Sequence, residues 1–215
     1  MKSVVLFFIC SFLPQILFAA TCPKSSQEPA RILRTSSGFR LMACGYEEKE
    51  KPLRRDRQQM NDFQVYWQKD QEEPKEIFSA SAQENFWVSA KKNKLKLEEL
   101  WSVNGEWMPA LSYVASCDRK TCEMDKPICV LKIPRGNFPK VMKDLRSRLQ
   151  MKDRGPSPEI TKLLSQAFAL ALKGNNEAQT FFIQDPRPSR LDGELGEEWE
   201  AAKSKIEKAK KLRCM

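Results

Sequence analysis

Apolar side chains recur at every second position from Gly38 to Pro134 and at every third or fourth position from Asn137 onward. The first spacing is that of strands and the second that of helices. GFRLMACGYEE sets Phe39, Leu41 and Ala43 against Arg40, Met42, Cys44 and Tyr46, which predicts a strand with one inward face. DFQVYWQ, EIFSASA and FWVSA follow as short runs rich in aromatic and β-branched residues, separated by polar loops such as KDQEEPK. In LKLEELWSVNGEWMPALSYVASC, Asn104-Gly105 stands between two alternating runs, and this pair tolerates the positive φ of a tight hairpin turn. Leu95, Leu97, Trp101 and Val103 are expected on one face of the incoming strand, and Trp107, Leu111, Tyr113 and Ala115 on one face of the outgoing strand. Pro109 donates nothing to a ladder and should mark an edge or a bulge. The two tryptophans flanking the turn suggest a carbohydrate-stacking pair, but core packing is the commoner fate of such residues. PICVLKIP reads as a further strand, making CDRKTCEMDK the loop of a second hairpin.

Asn137 is placed to cap a helix that carries Pro139 in its first turn, with Val141, Met142, Leu145 and Leu149 inward. Ser157-Pro158 opens a second helix with Ile160, Leu163, Leu164, Phe168 and Leu172 on its stripe, and Gly174 is placed to end it. Asn175-Asn176 starts a short third segment carrying Phe181 and Phe182. The last helix, Glu194 to Leu212, spaces Leu195, Trp199, Ala202, Ile206 and Ala209 by four, three, four and three. Its early glutamates and late lysines complement the helix dipole. Its heptad-like stripe is too short to favour a coiled coil over packing on its own domain, so Trp101, Phe168 and Trp199 are expected in one core. The predicted architecture is α+β: an antiparallel meander of about six to seven short strands over residues 38–134, covered by three to four C-terminal helices over residues 137–213. A single domain is expected over residues 21–215, β-rich from 31 to 135 and α-helical from 136 to 215. Residues 23–30 and the charged stretch EEKEKPLRRDRQQ are expected to be disordered.

The N-terminus, MKSVVLFFICSFLPQILFAATCP, changes the picture of the compartment. One basic residue, a short apolar run and the small residues Ala19 and Ala20 are the parts of a secretory signal peptide over residues 1–20. Pro14-Gln15 would interrupt a membrane anchor near its middle. Acylation at Cys22 is a minor alternative, with Thr21 an awkward predecessor. The expectation is an exported chain, periplasmic or secreted, with no membrane span after cleavage.

Losing the leader removes Cys10 and leaves Cys22, Cys44, Cys117, Cys122, Cys129 and Cys214. An even set in an oxidising compartment favours disulfides. A zinc site wants two pairs with two to four residues between, but only Cys117 and Cys122 are that close and the chain has no histidine. A thioredoxin-type centre wants two intervening residues, which no pair here has. Cys117 and Cys129 are predicted to bridge across the second hairpin, which leaves Cys122 free for a distant partner. Cys214 is placed to pin the last helix to the sheet.

Charge and chemistry narrow the function further. The net charge is +9, and +8 without Lys2. It is scattered except between Arg135 and Arg154, where Lys140, Lys143, Arg146 and Arg148 offer a basic surface for an envelope protein or an anionic envelope polymer. Nucleic acid is disfavoured for want of a basic stripe interleaved with exposed aromatics. The absence of histidine excludes Ser-His-Asp and Cys-His hydrolases and the imidazole-based zinc hydrolases. Ser89 and Lys92 match a Ser-x-x-Lys pattern without its companion motifs, and Ser89 falls at a strand end. No phosphate-cradling glycine loop or dinucleotide fingerprint is present. The sequence therefore indicates no catalytic, cofactor-binding or metal-binding residues. It favours a non-catalytic binding or structural protein. The alternative is a wall- or glycan-active hydrolase with two inward carboxylates roughly 5 to 10 Å apart in a deep cleft.

Overall fold

The structure, a computed structural model, describes residues 22–23, 30–36, 38–47, 58–133, 140–151 and 158–214. The predicted leader, the Ser157 and Asn137-Pro139 helix starts, and most of the two stretches expected to be disordered lie outside these residues. The strands are β1 (Ala30–Ser36), β2 (Phe39–Glu47), β3 (Gln58–Gln68), β4 (Lys75–Ala80), β5 (Asn85–Lys91), β6 (Lys94–Val103), β7 (Glu106–Cys117), β8 (Cys122–Met124) and β9 (Ile128–Cys129). The helices are α1 (Val141–Gln150), α2 (Pro158–Leu172), α3 (Asn176–Ile183) and α4 (Glu194–Lys211). The α+β architecture is as expected, with nine strands among the described residues where six to seven were expected.

All pairings are antiparallel, in the order β1-β2-β3-β5-β6-β7-β8. β3 is long enough to share one edge between two partners: β4 along Phe63 to Trp67 and β5 along Gln58 to Met60. Of the four bulges in the described ladders, those of the β2–β3 and β6–β7 pairs lie between the longest strands. In the first, Asp62 at φ 43° is the extra residue opposite Gly45 at φ 146°. In the second, Glu99 pairs with Leu111 and Leu100 with Pro109, so Ala110 is the extra residue. Proline sits where a ladder hydrogen bond is already lost.

Side chains fall into two main apolar clusters. One is made by the sheet itself, from Phe39, Leu41 and Ala43 on β2 through Phe63, Val65, Phe86 and Val88 to Leu95, Leu97 and Ala115. Within this region the rings of Phe63, Phe78, Phe86 and Tyr113 meet at 5.3–6.0 Å, three of the contacts edge-on. The second cluster joins Trp101, Val103, Ala110 and Leu111 to the buried stripes of all four helices. Trp101, Phe168 and Trp199 belong to it together, and Trp199 is 2% exposed, so α4 is spent on its own chain. The helices therefore cover the β6–β7 end of the sheet, and Tyr113 packs against both clusters. On the opposite face of β2, Met42 and Cys44 are also buried, against Cys22 and Tyr66. Sequence alternation had given that face to solvent.

The helix boundaries follow local chemistry. α1 begins after Pro139, with Lys140 at φ 99° as its N-cap and no side-chain cap, one turn later than the Asn137 start. Asn175 caps α3 by accepting the Ala178 amide at 2.9 Å. Gly174 at φ 84° reverses the chain after α2, a left-handed conformation that glycine adopts without strain.

Candidate functional site

The cysteines form three bonds: Cys22–Cys44, Cys117–Cys122 and Cys129–Cys214. The predicted Cys117–Cys129 bridge is not made. The chain turns back sooner than the alternation implied, because Asp118 closes a tight loop. Its carboxylate accepts the amides of Lys120 at 2.6 Å and Thr121 at 2.9 Å, which holds its pKa below the ordinary value. This puts Cys122 directly opposite Cys117. Cys129 lands opposite Leu111, six residues back along β7 or about 20 Å at strand rise, where it meets Cys214. The last helix is thus tied covalently to the sheet.

The four cations predicted as a binding surface share α1 but not a common state. Arg146 bonds Asp185 at 3.2 Å, approaches Glu177 at 3.5 Å and lies over the Phe181 ring. Arg148 pairs with Glu159 at 2.8 Å. Both guanidinium groups thus clamp α1 to α2 and α3, while Lys140 and Lys143 are exposed.

The carboxylates are arranged as structural partners. Glu99 is 3% exposed and occupies the inward register between Leu97 and Trp101. It accepts from Trp101 Nε1 at 2.8 Å, Tyr113 Oη at 3.0 Å and Lys208 Nζ at 2.7 Å. Burial works against the Lys208 ammonium, but its bond to Glu99 and the charge of that carboxylate outweigh it and raise the lysine's pKa. Burial, reinforced by the charge of Glu99, pushes the Tyr113 phenol up to about 12. This quartet fills the seam between the two apolar clusters. Its signal in the sequence was a single acidic residue interrupting the stripe Leu95, Leu97, Trp101, Val103. The neighbouring Glu98 pairs with Lys96 at 2.8 Å. Consecutive strand residues point to opposite faces, so Glu98 and Glu99 do not converge on one cleft.

An open cleft of about 560 Å³ lies between the β6–β7 turn, α2 and α4. The Gly105 amide donates to Ser165 Oγ at 3.2 Å and fixes the turn against α2. Trp107 lines the cleft and is 50% exposed, whereas Trp101 is fully buried. The Ala110 bulge explains the difference. Cross-strand partners share a face, and Trp107 pairs with Ser102, on the side away from Trp101 and Val103. The two tryptophans therefore form no stacking pair, and Trp107 does not share the core face predicted for it. α4 contributes Glu198, Ala201, Ala202 and Lys205, one stripe at helical spacing, and α2 contributes Thr161, Lys162, Ser165 and Phe168. Burial lowers the Lys205 pKa, and burial with the charge of Glu194 raises that of Glu198. Sequence reading missed this stripe because it assigned Ala202 to the core and read Glu198 and Lys205 only as charges complementing the helix dipole.

Among the described residues, Glu198 is the one carboxylate lining the cleft, no cluster of acidic or cysteine side chains is placed to hold a metal ion, and no helix is long and apolar enough to cross a membrane. A comparison of the chain with protein-family models, with characterised proteins and with solved structures finds no match.

Proposed function

We propose that the chain is an exported, disulfide-stabilised, non-catalytic binding protein of the cell envelope or extracellular space, folded as one α+β domain after loss of residues 1–20. The observation that carries this reading is the complete pairing of the six cysteines that remain once Cys10 is gone. Such pairing persists where thiols oxidise and is rare where they are kept reduced. The site chemistry supports the non-catalytic half. Glu99 is saturated by three donors, Glu98 is held by Lys96, and the cleft presents Glu198 without a second carboxylate among the described residues. A paired-carboxylate glycosidase needs two such groups facing one ligand.

The test is thiol alkylation of native protein isolated without reductant, combined with N-terminal sequencing. The expected result is a chain lacking its first 20 residues, with no cysteine labelled until reductant and denaturant are added. Several cysteines labelled in the native state would overturn the exported, cross-linked reading. Turnover of a wall glycan, abolished by Glu198→Gln, would overturn the non-catalytic one.

A further inference from the structure

The cleft holds two cations that the fold does not use. Lys205 on α4 and Lys162 on α2 both line it, and among the described residues neither has a hydrogen-bond or ion-pair partner. Glu99 and Glu84, the carboxylates whose charge reaches Lys205, are both taken by Lys208, at 2.7 and 3.9 Å. A partly buried ammonium with no partner is costly, and an anion supplied from outside removes that cost. Around these cations the surface is mainly apolar: the half-exposed indole of Trp107, with Leu164, Phe168, Ala201 and Ala202. A volume of about 560 Å³ falls within the usual range for small-molecule sites, about 300 to 1,000 Å³. Glu198 lies seven residues before Lys205 on the same stripe, about 10 Å away at helical rise. The wall is therefore polarised, with negative charge at one end and positive at the other.

We propose that this cleft binds a small amphipathic organic anion, an aryl or alkyl body bearing one carboxylate. The apolar body lies against Trp107 and the alanine wall, and the carboxylate is directed to Lys205 and away from Glu198. This rests on the binding reading above and names the ligand class for it. Trp107 supplies a rigid contact face at low entropic cost, and the two lysines supply charge.

The experiment is titration of the mature protein with 2-naphthoate, its neutral counterpart 2-naphthalenemethanol, and glucuronate, followed through the Trp107 indole N–H resonance. Saturable binding of naphthoate is expected, at least tenfold tighter than the alcohol. Lys205→Met should lose that tenfold preference while leaving the alcohol unaffected, and Lys205→Arg should retain it. Trp107→Ala, which lacks the reporting indole and is titrated by calorimetry, should weaken both aromatic probes. Lys205→Met removes a desolvated charge and keeps the stem, so an unchanged thermal midpoint verifies its fold. Lys162→Met gives a second, exposed probe of the same charge. Equal affinity for acid and alcohol, or no shift with any probe, would refute the anion site while the cysteine-labelling result still stands for export. Tighter binding of glucuronate than naphthoate would refute the apolar body and leave the chain a binding protein of another class.

Discussion

Lys208 Nζ lies 2.7 Å from Glu99 Oε2, joining the last helix to the middle of the sheet across 109 residues of chain. The contact sits where the two apolar clusters meet, and Trp101 and Tyr113 complete the coordination of the carboxylate. Removing one partner of a buried pair leaves the other charge without compensation, which costs more than the pair itself contributes. Glu99→Gln is expected to lower stability by about 3 kcal/mol in urea unfolding, the lower end of the range for broken buried pairs because Lys208 is partly solvated. Lys208→Met should cost less, since Trp101 and Tyr113 still donate to the carboxylate. The reverse order would mean that the quartet is not held together by its anion.

Alkaline pH should unfold the protein through the same quartet. Tyr113 titrates at about 12 in the fold against 10.0 ordinarily, so between these values the folded form keeps a proton that the unfolded form releases. Stability therefore falls as pH rises through that window. Lys208, raised above 10.5, acts with the same sign: its contribution is full below 10.5 and is lost as pH climbs through its folded value. Lys205 acts oppositely and earlier, because its lowered pKa makes stability rise as pH approaches 10.5. Absorbance at the tyrosinate band should show a late-ionising component from Tyr113, together with the loss of tertiary structure. A Tyr113→Phe variant that keeps the late component would contradict the assignment.

The disulfides should contribute unequally. Cys129–Cys214 spans 85 residues and Cys117–Cys122 only 5. Loop-closure entropy gives about 4–5 kcal/mol for the first and about 2 kcal/mol for the second. Serine pairs at each bridge, compared by denaturant midpoint, should reproduce that order. Equal losses would show that α4 stays docked without its covalent tie.

Gly45 tests the β2–β3 bulge. A Cβ there would stand 2.3 Å from the Asp62 carbonyl oxygen and 2.6 Å from Phe63 Cα, both backbone atoms that cannot rotate aside. Gly45→Ala should destabilise by roughly 2–3 kcal/mol, the scale of an enforced backbone strain, and a change below about 0.5 kcal/mol would argue against this register.

The sequence was informative wherever burial imposes a regular period. The α4 stripe from Leu195 to Ala209 and the inward set Phe39, Leu41 and Ala43 are buried as their spacing requires. It misled where one residue changes the register. Ala110 adds a residue to β7, and every side chain before it changes face, which puts Trp107 in the cleft instead of the core. Asp118 shortens a loop by hydrogen bonding to its own backbone, and the predicted pairing of Cys117 with Cys129 fails as a result. The cleft itself has no local signature, because it is assembled from α2, α4 and a hairpin turn that lie far apart in sequence.

Cys22–Cys44, Cys117–Cys122 and Cys129–Cys214 follow one another without interleaving. A polypeptide entering an oxidising space N-terminus first meets each correct partner next in line. With Cys10 removed as proposed, pairing every cysteine with the first unpaired one behind it yields the native set directly. Maturation by this order needs an oxidant but no isomerase.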